Sequence, residues 1–240
     1  MGIDYDKFWN AAQNHHKLKT NQVSDLQKQL NLHIDSLPSN KLILSIDRLD
    51  YTKGIVNRIL AFEIFLETYP QYKEKIRLVM LAVPSRSDVP QYKKLKRQTD
   101  EIVGRVNGKF STVNWTPIWY FYRSMSFDNL IDLYTSSDIA MITPVRDGMN
   151  LVAKEYVSTR IFKKGVLILS EMAGASQEMN EAILVNPNDL NSLANSIKKA
   201  VEMPINDQIT RNNILQKRLN TLIHNPMKAI LPTFWKHLLV

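Results

Sequence analysis

The sequence predicts a doubly wound parallel α/β sheet, Rossmann-like in plan. Two apolar runs, Leu42 to Ile46 and IRLVMLAV at 76 to 83, are nearly free of polar interruption, as expected of parallel strands covered by helices on both faces. Between them Ile55, Ile59, Phe62, Leu66 and Tyr69 recur every three or four residues, which places one apolar helix face between two strands. The same alternation of strand, loop and helix continues along the chain, and that order winds a parallel sheet.

The elements follow in order. Residues 1 to 40 are polar, hold a helix near Gln22 to Leu32 and end in the turn-like SLPSN, so they read as a lead-in packed on the domain. The domain proper spans 41 to 203. Its first strand opens into DRLDYTKG, which closes with Gly54, and the helix from 55 stops at Pro70. The second strand runs into Pro84, Ser85 and Arg86. Val89, Tyr92, Leu95, Ile102, Val103 and Val106 then outline a helix that should fade at Asn107 and Gly108, followed by a strand near Val113 to Trp115. A helix from Phe127 to Ser136, a strand at 138 to 143, the loop PVRDGMN and a helix starting close to Asn150 come next. VLIL at 166 to 169 and ILV at 183 to 185 extend the sheet, and Leu190, Leu193, Ile197 and Val201 mark another helix. Residues 204 to 240 read as C-terminal helices with breaks near Pro204, Asn225 and Pro226.

Composition narrows the function. The 240 residues are 44% apolar, enough to bury a sizeable core. Without cysteine there is neither a disulfide framework nor a thiolate ligand or nucleophile. No apolar run approaches the roughly 20 residues of a membrane helix, and MGIDYDKF lacks the order of a signal peptide; a cytoplasmic protein is expected. The net charge of +8 fits nucleic acid or phosphorylated small ligands. The charge is scattered, however, and KKLKR at 93 to 97 sits beside Asp100 and Glu101, as on a solvated helix face. Trp115, Trp119, Tyr120, Phe121 and Tyr122 resemble a base-stacking platform, though core packing beside a strand explains them as well. None of the five histidines has zinc-ligand spacing, and no metal is expected.

In open sheets of this kind ligands bind beyond the carboxyl ends of the strands, so the loops after strands matter most. Arg48 and Lys53 in DRLDYTKG supply a forked donor and a mobile point charge that suit a diphosphate; they suit surface pairs with Asp47 or Asp50 equally. Asp147 and Gly148 precede a helix whose first N–H groups, at Leu151 and Val152, are free for an anion, or Asp147 is simply its cap. Glu155, one turn deeper, would accept hydrogen bonds from a ribose diol or pair with Thr159 or a cation. Arg86 in VPSRSD would either pair with Asp88 or hold a phosphate. Spacing alone leaves each choice open.

Taken together, SIDRLDYTKGI, AVPSR, GRVNGKF, TPVRDGMNLVAKEY and GVLILSEMAGA, in this order and spacing, resemble the trehalose-6-phosphate synthases. These are retaining glycosyltransferases of two Rossmann-like domains, the GT-B arrangement. The resemblance implies that Arg48 and Lys53 hold the diphosphate of UDP-glucose, that the N–H groups of Leu151 and Val152 cap it and that Glu155 grips the ribose. It implies contacts from Asp147, Gly148, Met149 and Asn150 to the transferred glucose, with Arg48, Lys53 and Asp147 as the catalytic set. Arg86 would hold the phosphate of glucose 6-phosphate, and Phe127, beside Ser126, would lie near the uracil. No cofactor beyond the substrate is implied.

In relatives the segment GIDYDKF lies at the start of the second domain, so the sequence reads as the donor-binding half without its N-terminal partner. Weak donor binding, little synthase activity and self-association are then expected, the last through an exposed patch near Phe234, Trp235, Leu238 and Leu239. Other readings are a sister enzyme of the glucosylglycerol-phosphate synthase type, a nonenzymatic nucleotide-binding module and a nucleic-acid binder.

Overall fold

The computed structural model describes residues 2 to 17, 24 to 36 and 39 to 224. Six parallel strands form one sheet: β1 (Lys41–Arg48), β2 (Ile76–Val83), β3 (Ile118–Tyr122), β4 (Ile139–Ile142), β5 (Val166–Ser170) and β6 (Ile183–Val185). Their order is β3-β2-β1-β4-β5-β6. The chain winds outward from β1 to β3, crosses back to β4 beside β1, and winds outward the other way, so the topological switch point lies between β1 and β4.

Both faces are buried because both are covered by helices. One face carries α3 (Ile55–Thr68), α4 (Pro90–Phe110) and α7 (Leu190–Val201). The other carries α1 (Tyr5–His15), α2 (Asp25–Ile34), α5 (Phe127–Ser136), α6 (Leu151–Ser158) and α8 (Ile205–His224). The strands divide their side chains accordingly: Ile43, Leu78 and Met80 join one core with Ile59 and Phe62, while Leu42, Leu44, Val79 and Leu81 join the other with Leu133 and Val157. That split is the two-residue period of a strand applied to continuous apolar runs. From the lead-in, Leu30 is fully buried and Tyr5 nearly so, so this segment contributes side chains to the second core.

Two sequence expectations are corrected. The third strand is Ile118–Tyr122, not Val113 to Trp115; Val113 is fully exposed in the preceding loop, and Trp115 is buried as a plug against the first core. The aromatic run is therefore the strand itself, half-covered because it is an edge. Helix α4 also runs through Gly108 to Phe110, since burial of Val106 and Phe110 outweighs the roughly 1 kcal/mol that a glycine costs a helix. The final segment with Phe234, Trp235, Leu238 and Leu239 lies outside the described residues. No described helix is long and apolar enough to cross a membrane.

Candidate functional site

The loops after β1 and β4 meet at the switch point, where an open α/β sheet leaves a crevice. After β1, Asp50 caps a short 3-10 turn, Tyr51–Lys53, by accepting from Thr52 N, and Gly54 ends it at φ 66°. That conformation, and the space, require glycine: a Cβ on Gly54 would lie 2.4 Å from the Thr143 carbonyl oxygen. The loop after β4 is stitched to this turn, with Val145 N and Arg146 N both donating to Thr52 O at 2.8 and 3.1 Å. A third loop backs the second: Gly174 N donates to Asp147 O at 3.0 Å and Ala175 N to Met149 O at 2.7 Å.

These ties deliver Lys53 and Asp147, 94 residues apart, to one point where Lys53 Nζ lies 2.6 Å from Asp147 Oδ2. Asp147 also accepts from Met149 N at 3.3 Å and from Asn150 Nδ2 at 3.2 Å. Burial alone would raise its pKa, but the Lys53 hydrogen bond and charge with the other donors hold it below the usual value. Lys53 thus pairs with neither Asp47 nor Asp50, and Asp147 is not the helix cap. Asn150 is the cap: at φ 77° its side chain accepts from Ala153 N at 3.0 Å. Leu151 and Val152 come before the first intrahelical donors, so their N–H groups have no partner within the helix.

Arg58, which the sequence reading passed over, organises the site from beneath. Fully buried on α3, it donates to Thr143 Oγ1 at 3.2 Å, to Ser45 Oγ at 2.8 Å, to Asp47 Oδ2 and to the carbonyl of Lys53. It is the cation that pairs with Asp47, whose pKa burial raises and Arg58 pulls back. The available signal was position: Arg58 follows Ile55 by three residues, inside the apolar face of α3 and behind a strand whose last residues include Asp47.

Arg48 stands exposed at the end of β1, near enough that its charge helps lower the pKa of Asp50. Arg86 adopts φ 47° just past β2 and donates to Tyr92 Oη at 3.3 Å, while Tyr92 donates to Asp50 Oδ2 at 2.9 Å. Arg86 is therefore linked to the β1 loop through Tyr92. Glu155 accepts from the buried Tyr134 hydroxyl at 2.6 Å instead of pairing with Thr159. Phe127 packs edge-on against Phe8, centroids 5.4 Å apart, and Phe8 in turn meets Tyr134. The candidates thus fall into a cationic group around Lys53 and an aromatic-carboxylate group around Glu155, joined by α6.

The family model for glycosyltransferase family 20 matches residues 1 to 225. The chain belongs to that family. It is 44% identical over 219 residues to a bifunctional trehalose-6-phosphate synthase/phosphatase of Thermoproteus tenax, covering 91% of this chain and 29% of that protein. It is 43% identical to an alpha,alpha-trehalose-phosphate synthase (UDP-forming) of Schizosaccharomyces pombe, covering 92% of this chain and 41% of the relative. Among solved structures, the Burkholderia xenovorans alpha,alpha-trehalose-phosphate synthase in complex with glucose-6-phosphate superimposes with a TM-score of 0.84 at 35% identity, over 91% of this chain and 46% of the other. An Escherichia coli relative bound with UDP-2-fluoro glucose gives 0.82 at 35%, over 92% and 47%. This member of the family therefore spans less than half the length of each of these relatives, and its fold matches the corresponding half of their GT-B structures.

Proposed function

We propose that this chain forms the donor-binding side of a retaining glucosyltransferase that transfers glucose from UDP-glucose to glucose 6-phosphate, giving trehalose 6-phosphate and UDP. The observation that carries the reading is the meeting of Lys53 and Asp147 beside the start of α6, with Glu155 one turn deeper. Its support is the family, together with relatives named for this reaction or bound to glucose-6-phosphate or a fluorinated UDP-glucose.

In this reading the bond between the glucose anomeric carbon and the phosphate oxygen breaks as an oxocarbenium-like sugar forms, and negative charge gathers on UDP. Arg48, Lys53 and the N–H groups of Leu151 and Val152 stabilise that charge from fixed positions. Their placement costs little at the moment of reaction because Arg58 and the stitched loops already hold Lys53 and Asp147. Asp147, Gly148, Met149 and Asn150 face the sugar, Glu155 the ribose and Phe127 the uracil side. Arg86 meets the acceptor phosphate, and the acceptor hydroxyl attacks the face that the leaving phosphate vacates while giving its proton to that phosphate, which retains configuration. The nucleotide-sugar unit is residues 41 to 203, and the setting is the cytoplasm.

Calorimetric titration with UDP, UDP-glucose and GDP-glucose tests the proposal. Binding of UDP and UDP-glucose that Lys53→Ala weakens by about tenfold or more, as for loss of one charge-assisted contact, is expected. No uridine-nucleotide binding, or binding indifferent to Lys53→Ala, overturns it.

A further inference from the structure

Tyr134 is 1% exposed, yet its hydroxyl reaches Glu155 Oε2 at 2.6 Å. Burial and the neighbouring carboxylate hold the phenol far above its usual pKa, so it remains a donor at any working pH. Its ring is enclosed in the second core, and Phe8 from α1 packs edge-on against it with centroids 6.3 Å apart and planes at 72°. Glu155 is only partly buried, and burial raises its pKa while the Tyr134 hydrogen bond lowers it. One carboxylate oxygen is thereby pinned by a buried donor, and Oε1 has no hydrogen-bond partner among the described residues, so it is left as an acceptor. A glutamate with three rotatable bonds would otherwise lose that aim.

We infer that Tyr134 is a positioning residue that orients Glu155 toward the 2′-hydroxyl of the nucleotide, so that the pair selects ribonucleotides over 2′-deoxyribonucleotides. The inference rests on the ribose role given to Glu155 above. A site that hydrogen-bonds a ligand hydroxyl through a desolvated carboxylate is penalised when the hydroxyl is missing, because the carboxylate then stays unpaired. How large the penalty becomes depends on how firmly the carboxylate is aimed.

The test is calorimetric titration of the full 240-residue chain, and of Tyr134→Phe, Phe8→Leu and Glu155→Gln, with UDP and with 2′-deoxy-UDP. The wild type should prefer UDP by about tenfold, the scale of one hydrogen bond to a charged group. Tyr134→Phe keeps the ring and removes only the hydroxyl; it should bring the ratio about threefold or more toward parity by weakening UDP and leaving 2′-deoxy-UDP nearly unchanged. The UDP preference requires the ionised Glu155, so its loss on acidification should begin at higher pH in Tyr134→Phe than in wild type. Equal weakening of both ligands, with the wild-type ratio intact, marks a merely structural tyrosine and overturns the inference. If Tyr134→Phe does not fold, Phe8→Leu decides: it leaves both hydrogen-bonding groups but frees the ring, and an unchanged ratio there overturns the inference as well. Glu155→Gln separates the two levels, since a ratio that survives in that variant removes the ribose role itself.

Discussion

Arg58 donates from the closed interior to the backbone carbonyl of Lys53 and, with the same terminal nitrogen, to Asp47 Oδ2. A core ion pair is thus tied to the main chain of the residue assigned to the pyrophosphate. Arg58→Met would leave the Asp47 carboxyl buried and unpaired, which costs about 3–5 kcal/mol. The loss should also depend on pH. Burial raises the pKa of Asp47 against the pull of Arg58, so between its ordinary unfolded value and the raised folded one the native state holds the extra proton and stability falls as pH rises. Without Arg58 that window widens upward. Urea titrations should therefore show a larger destabilisation of Arg58→Met at pH 7 than near pH 4, and an equal loss at both would count against the pairing.

Asp147 plays a different part, because its partner is Lys53, the cation assigned to the pyrophosphate. Its pKa is lowered despite burial, by Lys53 and its N–H donors. The stability this provides is present above the ordinary carboxyl value and disappears as pH falls through the depressed one. Asp147→Asn should lose about 1 kcal/mol at neutral pH, the scale of one net hydrogen bond. The same change removes a negative charge that repels a pyrophosphate and competes for Lys53. UDP should bind as tightly as to wild type or severalfold tighter, whereas the preference for UDP-glucose over UDP should shrink, because Asp147 is assigned to the sugar. Calorimetry on the two ligands reads both effects.

The fold was legible where burial on both faces makes a strand uniformly apolar, as at 76 to 83, and where a helix face repeats, as from Ile55 to Leu66. It was misread at Val113 to Trp115 because an edge strand lacks that signature: Ile118–Tyr122 is aromatic and half-exposed, and Pro117 precedes it. The candidate residues were legible as types placed after strands, but their pairings were not. Lys53 with Asp147, Tyr92 between Arg86 and Asp50, and Tyr134 with Glu155 all join distant segments, and local spacing carries no record of which loops the strand order brings together.

The glycines separate backbone necessity from ligand clearance. Gly54→Ala meets both a left-handed φ and the Thr143 carbonyl, so a loss of at least about 2 kcal/mol is expected. Gly148 has open space around a would-be Cβ, and Gly148→Ala should leave stability within about 0.5 kcal/mol. If the transferred sugar sits against Gly148, that silent substitution should still weaken UDP-glucose severalfold relative to UDP. Unchanged binding of both would place the sugar elsewhere.

Glu155 offers the sharpest contrast between what the fold prefers and what the site needs. Burial raises its pKa, and the Tyr134 hydroxyl offsets the shift only in part. As pH rises from the ordinary glutamate value through the raised one, the native state holds a proton that the unfolded chain gives up, so ionising Glu155 subtracts from stability. Glu155→Gln keeps the shape and an oxygen to accept from Tyr134 and removes the charge. Thermal melts at pH 7 should show it as stable as wild type or more so, and the difference should fade on acidification toward pH 4. UDP affinity should nevertheless fall by about tenfold or more, since a neutral amide accepts more weakly from a ribose hydroxyl than a carboxylate does. A residue whose replacement strengthens the fold while it weakens the ligand is held in place by binding. A variant that loses stability and affinity together would make Glu155 a structural residue instead.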